Sequence, residues 1–348
     1  MSLVGLAEIS ELLGVSKQVV ANWRARRADF PRPVVILKSG PVWALESVLA
    51  WAAGEGLSVQ NALEASGEGD DGVRRAEVVS MMNMKGGVGK STLTANLGWY
   101  GAVRRDLKVL LIDLDPQFNL SQYVLGVEKF ENLLNKRQPT VEALFRPPVD
   151  GKPGPDISEI IHIVRQWEDG SCLHLVPASL ELAWTMKLAV GRSHALRDAV
   201  NDVKHLYDVV LIDCSPTESV LTTAAYFASD HVAVPVKPEF LSTIGLPLLL
   251  RSIAEFSAEH KSEPAPDITG IIFNDVSEKV EHERSRSFVL KFAKEHSIPV
   301  FENEVAHSDS YPTGARSGKP IFWTDNARET RKSEFAKVAG EFYQRIGL

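Results

Sequence analysis

The stretch Asn83-Met84-Lys85-Gly86-Gly87-Val88-Gly89-Lys90-Ser91-Thr92 decides the fold of this chain. It follows a β-like apolar run, Val78 to Met82, and precedes a helical pattern, Leu93 to Val103. The glycines of the stretch let backbone N–H groups turn inward around phosphate oxygens, and the helix that follows directs its positive end at the same anion. The sequence therefore predicts a phosphate-binding loop between a strand and a helix.

Two side chains at the end of this loop have the chemistry that a bound nucleotide needs. Lys90 is expected to reach the β- and γ-phosphates, and the hydroxyl of Ser91 is expected to ligate Mg²⁺. An ordinary glycine-rich turn is the alternative, but strand, loop, Gly-Lys-Ser and helix occur in the required order. The predicted nucleotide-binding residues of the loop are Lys85, Gly86, Gly87, Val88, Gly89, Lys90, Ser91 and Thr92.

Beyond the loop, apolar runs alternate with helical patterns. Continuous runs of Val, Ile and Leu are typical of parallel strands that are buried on both faces. The runs lie at Val78–Met82, Val109–Ile112, Leu173–Val176, Val209–Ile212, His231–Val236 and Ile268–Phe273, and the helical patterns at Leu93–Val103, Ala195–Leu206, Ile244–Ala258 and Arg284–His296. We therefore predict an α/β fold with a doubly wound, mostly parallel sheet, in which ligands bind beyond the carboxyl ends of the strands.

Carboxylates follow two of these runs. Asp113 and Asp115 end the second run, and Asp213 ends the fourth, facing the loop. Mg²⁺ prefers oxygen ligands and keeps several waters, so one hydroxyl and carboxylates that contact those waters suffice to hold it. A solvated strand terminus is the alternative for the first pair, which the neighbouring phosphate loop disfavours.

The loop departs from the general GxxxxGK[ST] pattern, because Met84 replaces the first glycine and Lys85 adds a second lysine. This variant resembles the deviant Walker A motif of the ParA/MinD family of ATPases. Further segments are similar to that family's DxDPQ, Walker B and strand signatures: Asp113–Gln117, Tyr207–Pro216, Ala228–Val236 and Gly270–Asn274. The resemblance covers residues 77–348 and implies an ATPase that uses ATP and Mg²⁺.

The resemblance also implies roles for single residues. The implied catalytic residues are Lys85, Lys90 and Asp115, and the implied metal residues are Ser91, Asp113 and Asp213. Asp115 would orient the attacking water, and Lys85 would reach the nucleotide of a partner subunit, giving an ATP-sandwiched homodimer with slow intrinsic hydrolysis. Asn274 would hydrogen-bond the adenine edge, with a polar strand cap as the alternative.

The amino-terminal segment has a different pattern. Leu6 to Trp23 has the cadence of a helix-turn-helix, and Phe30 to Trp43 adds two short β-like runs before a helix from Leu45 to Ala52. This arrangement resembles the winged helix-turn-helix of MerR-like and excisionase-like regulators; a small protein-interaction domain is the alternative. The predicted DNA-contacting residues, on the second helix and just after it, are Lys17, Gln18, Asn22, Arg24 and Arg26.

A composition shift separates the two patterns, because Gly56 to Val73 is small and acidic without a sustained apolar face, as in a flexible tether. We therefore predict a winged helix-turn-helix domain over residues 1–56, a linker over 57–76 and a ParA-like ATPase domain over 77–348.

Composition narrows the class of protein further. The 348 residues are 44% hydrophobic and 24% charged with a net charge of −7, which is globular and argues against a histone-like polycation. Cys172 and Cys214 are too far apart for a CxxC pair and are expected to be reduced thiols. The N-terminus lacks a signal-peptide pattern, and no apolar run is long enough to cross a bilayer. We therefore expect a cytoplasmic protein without membrane contact, and the resemblance to the ParA/MinD family implies that it is nucleoid-associated.

Three functions are compatible with these sequence patterns. The favoured one is a DNA-segregation ATPase that dimerises with ATP, coats DNA and is stimulated by a centromere-bound, ParB-like partner. The second is a sequence-specific transcriptional regulator in which ATP acts only as a switch. A membrane-positioning ATPase of the MinD type is the weakest, because Arg331 to Leu348 lacks a strongly basic apolar tail. Arg284, Arg286, Lys291 and Lys294 are weaker candidates for DNA contact, a solvated helix face being the simpler interpretation.

Overall fold

The chain divides into two units, Met1–Arg74 and Arg75–Leu348. The structure is a computed structural model, and it describes residues 3–5, 9, 20, 24, 30–37, 40–54, 76–147, 155–185, 191–240 and 244–348.

The smaller unit contains a three-stranded antiparallel sheet and a helix. Its strands are β1 (Leu3–Val4), β2 (Val35–Leu37) and β3 (Gly40–Ala44), in the order β1–β3–β2, and helix α1 spans Leu45–Gly54. Trp43 is fully buried in this unit, and its indole N–H donates a 2.7 Å hydrogen bond to the carbonyl of Pro31. The β-runs and the helix that the sequence predicts after Phe30 are therefore present.

The helix-turn-helix predicted over residues 6–23 falls largely outside the described residues. Of the five predicted DNA-contacting residues, the structure describes only Arg24, which is helical and exposed. The residues of this group that lie outside the described part of the chain are Lys17, Gln18, Asn22 and Arg26. The DNA-reading role of this segment stays a prediction.

The larger unit is built on an eight-stranded sheet. Its strands are β4 (Glu77–Met81), β5 (Lys108–Leu114), β6 (His162–Gln166), β7 (Cys172–Val176), β8 (Val209–Cys214), β9 (His231–Val236), β10 (Asp267–Val276) and β11 (Val305–Ala306). They are ordered β11–β10–β9–β4–β8–β5–β7–β6, and every neighbouring pair is parallel except β6–β7. The predicted mostly parallel sheet is confirmed, and each of the six predicted runs forms a strand.

Helices cover both faces of this sheet. They are α2 (Lys90–Arg104), α3 (Asn119–Leu125), α4 (Val127–Asn135), α5 (Ile157–Ile160), α6 (Glu181–Thr185), α7 (Ala195–Val203), α8 (Val220–Ala228), α9 (Gly245–Glu259), α10 (Val280–Glu295), α11 (Ser310–Arg316) and α12 (Glu329–Arg345). Successive strand residues enter opposite cores: Val78 belongs to the core that includes residues of α7 to α10, and Val79 to the core that includes residues of α2 and α12. Burial on both faces explains why the strands are continuously apolar.

The helix that follows the phosphate loop is braced by the last helix. The hydroxyl of Tyr343 on α12 donates a 2.8 Å hydrogen bond to the carbonyl of Leu97 on α2. The Tyr343 ring fills the space where a side chain at Gly101 would begin, so α2 and α12 approach more closely than larger residues allow. Tyr343 is fully buried, and this contact fixes α2 against the carboxyl-terminal core.

Both cysteines, Cys172 and Cys214, are buried and free, as the sequence predicts.

Within the described ranges, no helix has the length and apolar character that spanning a membrane requires.

Candidate active site

A cleft of about 530 Å³ lies at the carboxyl ends of the central strands. Gly86, Gly87, Gly89, Lys90, Ser91 and Thr92 form one of its walls, and Asp115 with residues from α3, α4 and α11 forms the other. This volume is in the range of small-molecule and cofactor sites. The structure therefore places the predicted phosphate loop on a cavity at this edge of the sheet.

Two glycines of the loop have backbone conformations that other residues rarely adopt. Gly87 has φ 76° and Gly89 has φ 91°, both in the left-handed region. A Cβ atom at Gly89 would also collide with the side-chain amide of Asn274. The turn and this close approach explain why the sequence needs glycine at these positions.

Lys90 is buried beneath the loop with its ammonium group held by backbone carbonyls. Its Nζ donates to the carbonyl of Asn83 at 3.3 Å and to the carbonyl of Lys85 at 3.1 Å. Burial lowers the pKa of Lys90, while the neighbouring carboxylates of Asp213 and Asp115 act in the opposite direction. An anionic ligand, such as a phosphate group, would strongly stabilise the charged form of a lysine that is desolvated at the base of the loop.

Asp213 differs from the other carboxylates of the site in its hydrogen bonding within the described part of the chain. It is fully buried, and neither oxygen has a hydrogen-bond partner among the described residues. Burial raises its pKa well above the ordinary value, the nearby Asp113 raises it further, and Ser91 and Lys90 oppose this. A buried carboxylate without partners is costly, so this side chain fits a cation or its hydration shell.

Mg²⁺ therefore fits the residues at this position. Ser91 and Asp213 would hold the ion or its waters, and the bound ion would neutralise charge on the nucleotide phosphates.

Asp113 lies beside Asp213 but has a complete set of partners. Its Oδ1 accepts a hydrogen bond from the backbone N–H of Asp115 at 3.2 Å, and its Oδ2 accepts from the N–H and hydroxyl of Ser121 at 2.8 and 2.6 Å. Burial raises the pKa of Asp113 to about 7, and these hydrogen bonds partly offset the effect of burial. The three hydrogen bonds distinguish Asp113 from Asp213, although the sequence assigns both to the metal.

Asp115 lies in the cleft wall opposite the phosphate loop. Its side chain is largely buried, and its Oδ1 accepts a 2.9 Å hydrogen bond from the backbone N–H of Gln117. The structure thus brings the carboxylate that the sequence assigns to water orientation to the same cavity as Lys90 and Ser91.

Asn274 lies at the end of β10, against the phosphate loop. Its side-chain N–H donates a 2.8 Å hydrogen bond to the carbonyl of Val88. Its contact with the adenine edge stays a prediction, and the structure adds that this amide supports the backbone of the loop.

Lys85 lies at the start of the loop, half-buried beside the first turn of α9. A Cβ atom at Gly245 would be 3.1 Å from the Cβ of Lys85, so the helix start and the loop are in close contact. Among the residues that the structure describes, no carboxylate forms an ion pair with Lys85.

Two of the weaker DNA-contact candidates on α10 are engaged within the protein. Arg286 forms a 3.0 Å ion pair with Glu304, and Lys291 lies 3.9 Å from Glu295 on the next turn. Arg284 and Lys294 are exposed. This pattern favours the interpretation of α10 as a solvated helix face.

Sequence reasoning missed the residues of the far wall of the cleft. Tyr123 on α3 and Tyr311 and Arg316 on α11 line the cavity, and Ser121 contacts Asp113 from α3. None of them belongs to a motif that the sequence singles out, and only the fold brings α11 to the loop.

Comparison with known proteins identifies the family. A family model described as an AAA domain matches residues 76–264. The chromosome partitioning protein ParA of Caulobacter vibrioides is 32% identical over 266 residues, which are 71% of this chain and 87% of that protein. The chain belongs to the ParA/MinD family of P-loop ATPases. An uncharacterized protein of Methanocaldococcus jannaschii, MJECL24, is 31% identical over 265 residues, 75% of this chain and 96% of that protein.

Solved structures agree with this fold. An ATP complex of McdA from Cyanothece has a TM-score of 0.63 at 19% identity and covers 79% of this chain and 97% of its own, which shows the shared fold alone. Cobyrinic acid a,c-diamide synthase from Mycobacterium smegmatis, bound to an ATP analogue and magnesium, has a TM-score of 0.55 at 27% identity. It covers 70% of this chain and 92% of its own. Proteins that share this fold have thus been crystallised with ATP or an ATP analogue, and one of them with magnesium.

Proposed function

We propose that this ParA/MinD-family protein is a DNA partition ATPase that dimerises with ATP, binds DNA and hydrolyses ATP when a centromere-bound, ParB-like partner stimulates it. The observation that carries the proposal is the cleft lined by the phosphate loop and Lys90, with the buried carboxylate of Asp213 near Lys90. Similarity to the Caulobacter partition protein supports the biological role. The proposal includes a cytoplasmic, nucleoid-associated location.

Each residue of the cleft has a task that follows from its surroundings. Lys90 is desolvated and provides fixed positive charge for the β- and γ-phosphates. Ser91 and Asp213 would hold the magnesium ion or its waters, because both Asp213 oxygens lack a hydrogen-bond partner among the described residues. Asp115, anchored by the N–H of Gln117, orients a water for attack on the γ-phosphate.

Lys85 is the residue that makes the proposed site depend on a second subunit. Its backbone carbonyl is fixed by Lys90, while its half-buried side chain forms no ion pair with the described carboxylates. A cation positioned in this way is available to a phosphate on a second copy of the chain. Supporting positive charge from outside the subunit is a recurring feature of phosphoryl transfer.

The proposed route to DNA has two parts. The amino-terminal module, in which Arg24 is exposed, provides sequence preference, and the ATPase dimer provides non-specific contact. The second candidate function, an ATP-switched autorepressor, is favoured by the same module, in which the sheet β1–β3–β2 and α1 pack around Trp43.

The deciding experiment measures the mass of the full chain by light scattering after size exclusion, with Mg²⁺ and ATP, ADP or no nucleotide. We expect a dimer with ATP only, and a monomer for Lys85→Ala in every state. The matched control is Lys319→Ala, which removes a lysine outside the cleft and should leave the ATP-dependent dimer intact. A Lys85→Ala variant that still dimerises with ATP would contradict the sandwich arrangement.

A further inference from the structure

Ser121 joins three parts of the active-site edge through hydrogen bonds. It is fully buried, and its hydroxyl donates to Oδ2 of Asp113 at 2.6 Å while accepting from the backbone N–H of Ala178 at 3.0 Å. Its own backbone N–H donates to the same oxygen of Asp113 at 2.8 Å. Because the hydroxyl proton is directed at Asp113, the orientation of this side chain is fixed from both sides.

The chain of hydrogen bonds continues to the residue that faces the cleft. The other oxygen of Asp113 accepts from the backbone N–H of Asp115 at 3.2 Å. Ser121 is therefore connected to the backbone of Asp115 through a single carboxylate, although it lies six residues further along the chain and does not line the cleft.

The turn between these residues needs such support. Phe118 has φ 46° and ψ 31°, a left-handed conformation that costs free energy for a residue with a side chain. The turn is closed by a 2.8 Å hydrogen bond from the N–H of Phe118 to the carbonyl of Asp115, and the Phe118 ring packs on Phe130 at a centroid distance of 5.1 Å. A strained turn persists only where its surroundings fix it, and the Asp113 carboxylate fixes its first residue.

We propose that Ser121 is a positioning residue for ATP hydrolysis, which holds the Asp113 carboxylate so that Asp113 in turn fixes the backbone of Asp115. This inference rests on the proposed function and assigns a task to a residue outside the nucleotide-binding motifs. It also assigns different roles to two adjacent carboxylates. Asp213 is available for the magnesium ion, and Asp113 holds the turn between Asp115 and Ser121 through its hydrogen bonds.

The hydrogen bonds around Ser121 explain how loss of its hydroxyl would slow ATP hydrolysis. Without it, Asp113 keeps only the two backbone N–H groups as donors, and its carboxylate can rotate away from the N–H of Asp115. The N–H of Asp115 then loses its fixed acceptor, and the water-orienting carboxylate loses its position. Lys90 and the phosphate loop keep all their own contacts, so nucleotide binding is unaffected.

The test compares kcat and KM for ATP hydrolysis by the full chain with Mg²⁺, in the wild type, Ser121→Ala and Ser121→Cys. The cysteine variant keeps the shape of serine but forms only weak hydrogen bonds, so it decides the question if the alanine variant does not fold. Ser252→Ala is the matched control, because it removes a buried hydroxyl that bonds Tyr226 at 2.8 Å outside the cleft. Exchange of the Asp115 amide hydrogen is measured in parallel.

We expect kcat to fall about tenfold or more in both Ser121 variants with KM within about twofold of the wild type, and the Asp115 amide to exchange faster. Ser252→Ala should keep the wild-type kcat and Asp115 exchange, even where its melting temperature falls. A kcat for Ser121→Cys within about twofold of the wild type would overturn the inference. A wild-type protein that neither binds nor hydrolyses ATP would instead overturn the proposed function, on which the inference depends.

Discussion

Asp113 and Asp213 are neighbours in register on β5 and β8, yet three hydrogen bonds satisfy Asp113 while both oxygens of Asp213 have no partner among the described residues. Two buried carboxylates side by side raise each other's proton affinity. Here the protein donates hydrogen bonds to only one of the two, Asp113. The compensated carboxylate supports structure, and the uncompensated one is suited to a cation.

Replacement of Asp213 by asparagine should stabilise the ligand-free protein while weakening magnesium-dependent binding. The pKa of Asp213 is raised in the folded state, so ionising it costs stability as the pH rises above its ordinary value of 3.8. We expect Asp213→Asn to raise the melting temperature at pH 7 by about 2–4 °C, with a smaller gain as the pH falls toward 5. Differential scanning calorimetry across this pH range measures the effect.

The matched variant is Asp113→Asn, whose single amide oxygen leaves at least one of the three donors without an acceptor. We therefore expect its melting temperature to rise less than that of Asp213→Asn. ATP titrations with Mg²⁺ and with EDTA complete the comparison. The wild type should lose affinity in EDTA, and Asp213→Asn should show little difference between the two conditions. A magnesium response equal to that of the wild type would assign the ion to another residue.

Lys90→Ala should abolish nucleotide binding, because the variant removes the fixed cation at the base of the phosphate loop. The expected loss of affinity is about 100-fold or more, which corresponds to the charge-assisted contacts of one ammonium group. Titration of a fluorescent ATP analogue measures it. Lys291→Ala, which changes an exposed lysine on α10, should bind as the wild type does, and an unchanged affinity for Lys90→Ala would remove the phosphate-loop interpretation.

Asp115→Ala should bind ATP and form the dimer but stop turnover. A group that orients water acts on the chemical step and has little effect on ground-state binding. We expect kcat to fall by at least about 100-fold with nucleotide affinity within about threefold of the wild type. Size exclusion with ATP should show a persistent dimer. Hydrolysis at the wild-type rate would transfer the role to Asp113 or to a group from the stimulating partner.

Arg24→Ala should reduce preference for operator DNA with little effect on ATP hydrolysis, because the residues predicted to read bases lie in the amino-terminal unit and the cleft lies in the larger one. A fragment that starts near Gly72 should keep ATP-dependent binding to arbitrary DNA and lose operator preference. Binding isotherms on random and promoter-region duplexes, at two salt concentrations with and without ATP, measure both effects. A fragment that binds no DNA in any nucleotide state would favour the ATP-switched regulator.

Much of the larger unit follows from its sequence, because strands buried on both faces are continuously apolar. The sequence misses β6, whose residues are mostly half-buried or exposed, with Ile163 among the exposed ones, because an antiparallel edge strand lacks that pattern. It misses β11 as well, since two residues carry no periodicity. Helix α12 has apolar residues at helical spacing, including Phe335, Val338 and Phe342, and their burial in the core could have been predicted.

Some features of the candidate site could likewise be predicted from the sequence, and others could not. The phosphate loop and the strand-end carboxylates are local motifs, so the sequence places Lys90, Asp115 and Asp213 together. The different surroundings of Asp113 and Asp213 depend on Ser121, whose contact with Asp113 forms only when α3 folds back over the end of β5. No spacing rule predicts which of two neighbouring carboxylates the protein will satisfy.

The contact of Tyr343 with Leu97 and Gly101 has a consequence for motion during turnover. A helix that is fixed to a buried core cannot tilt without opening that core. We therefore expect the wall of the cleft formed by α2 to keep its position during turnover. We therefore expect displacements that accompany binding and release of nucleotide to occur at the opposite wall, on α11. A bulky residue at position 101 would separate the two helices and make the stationary wall mobile.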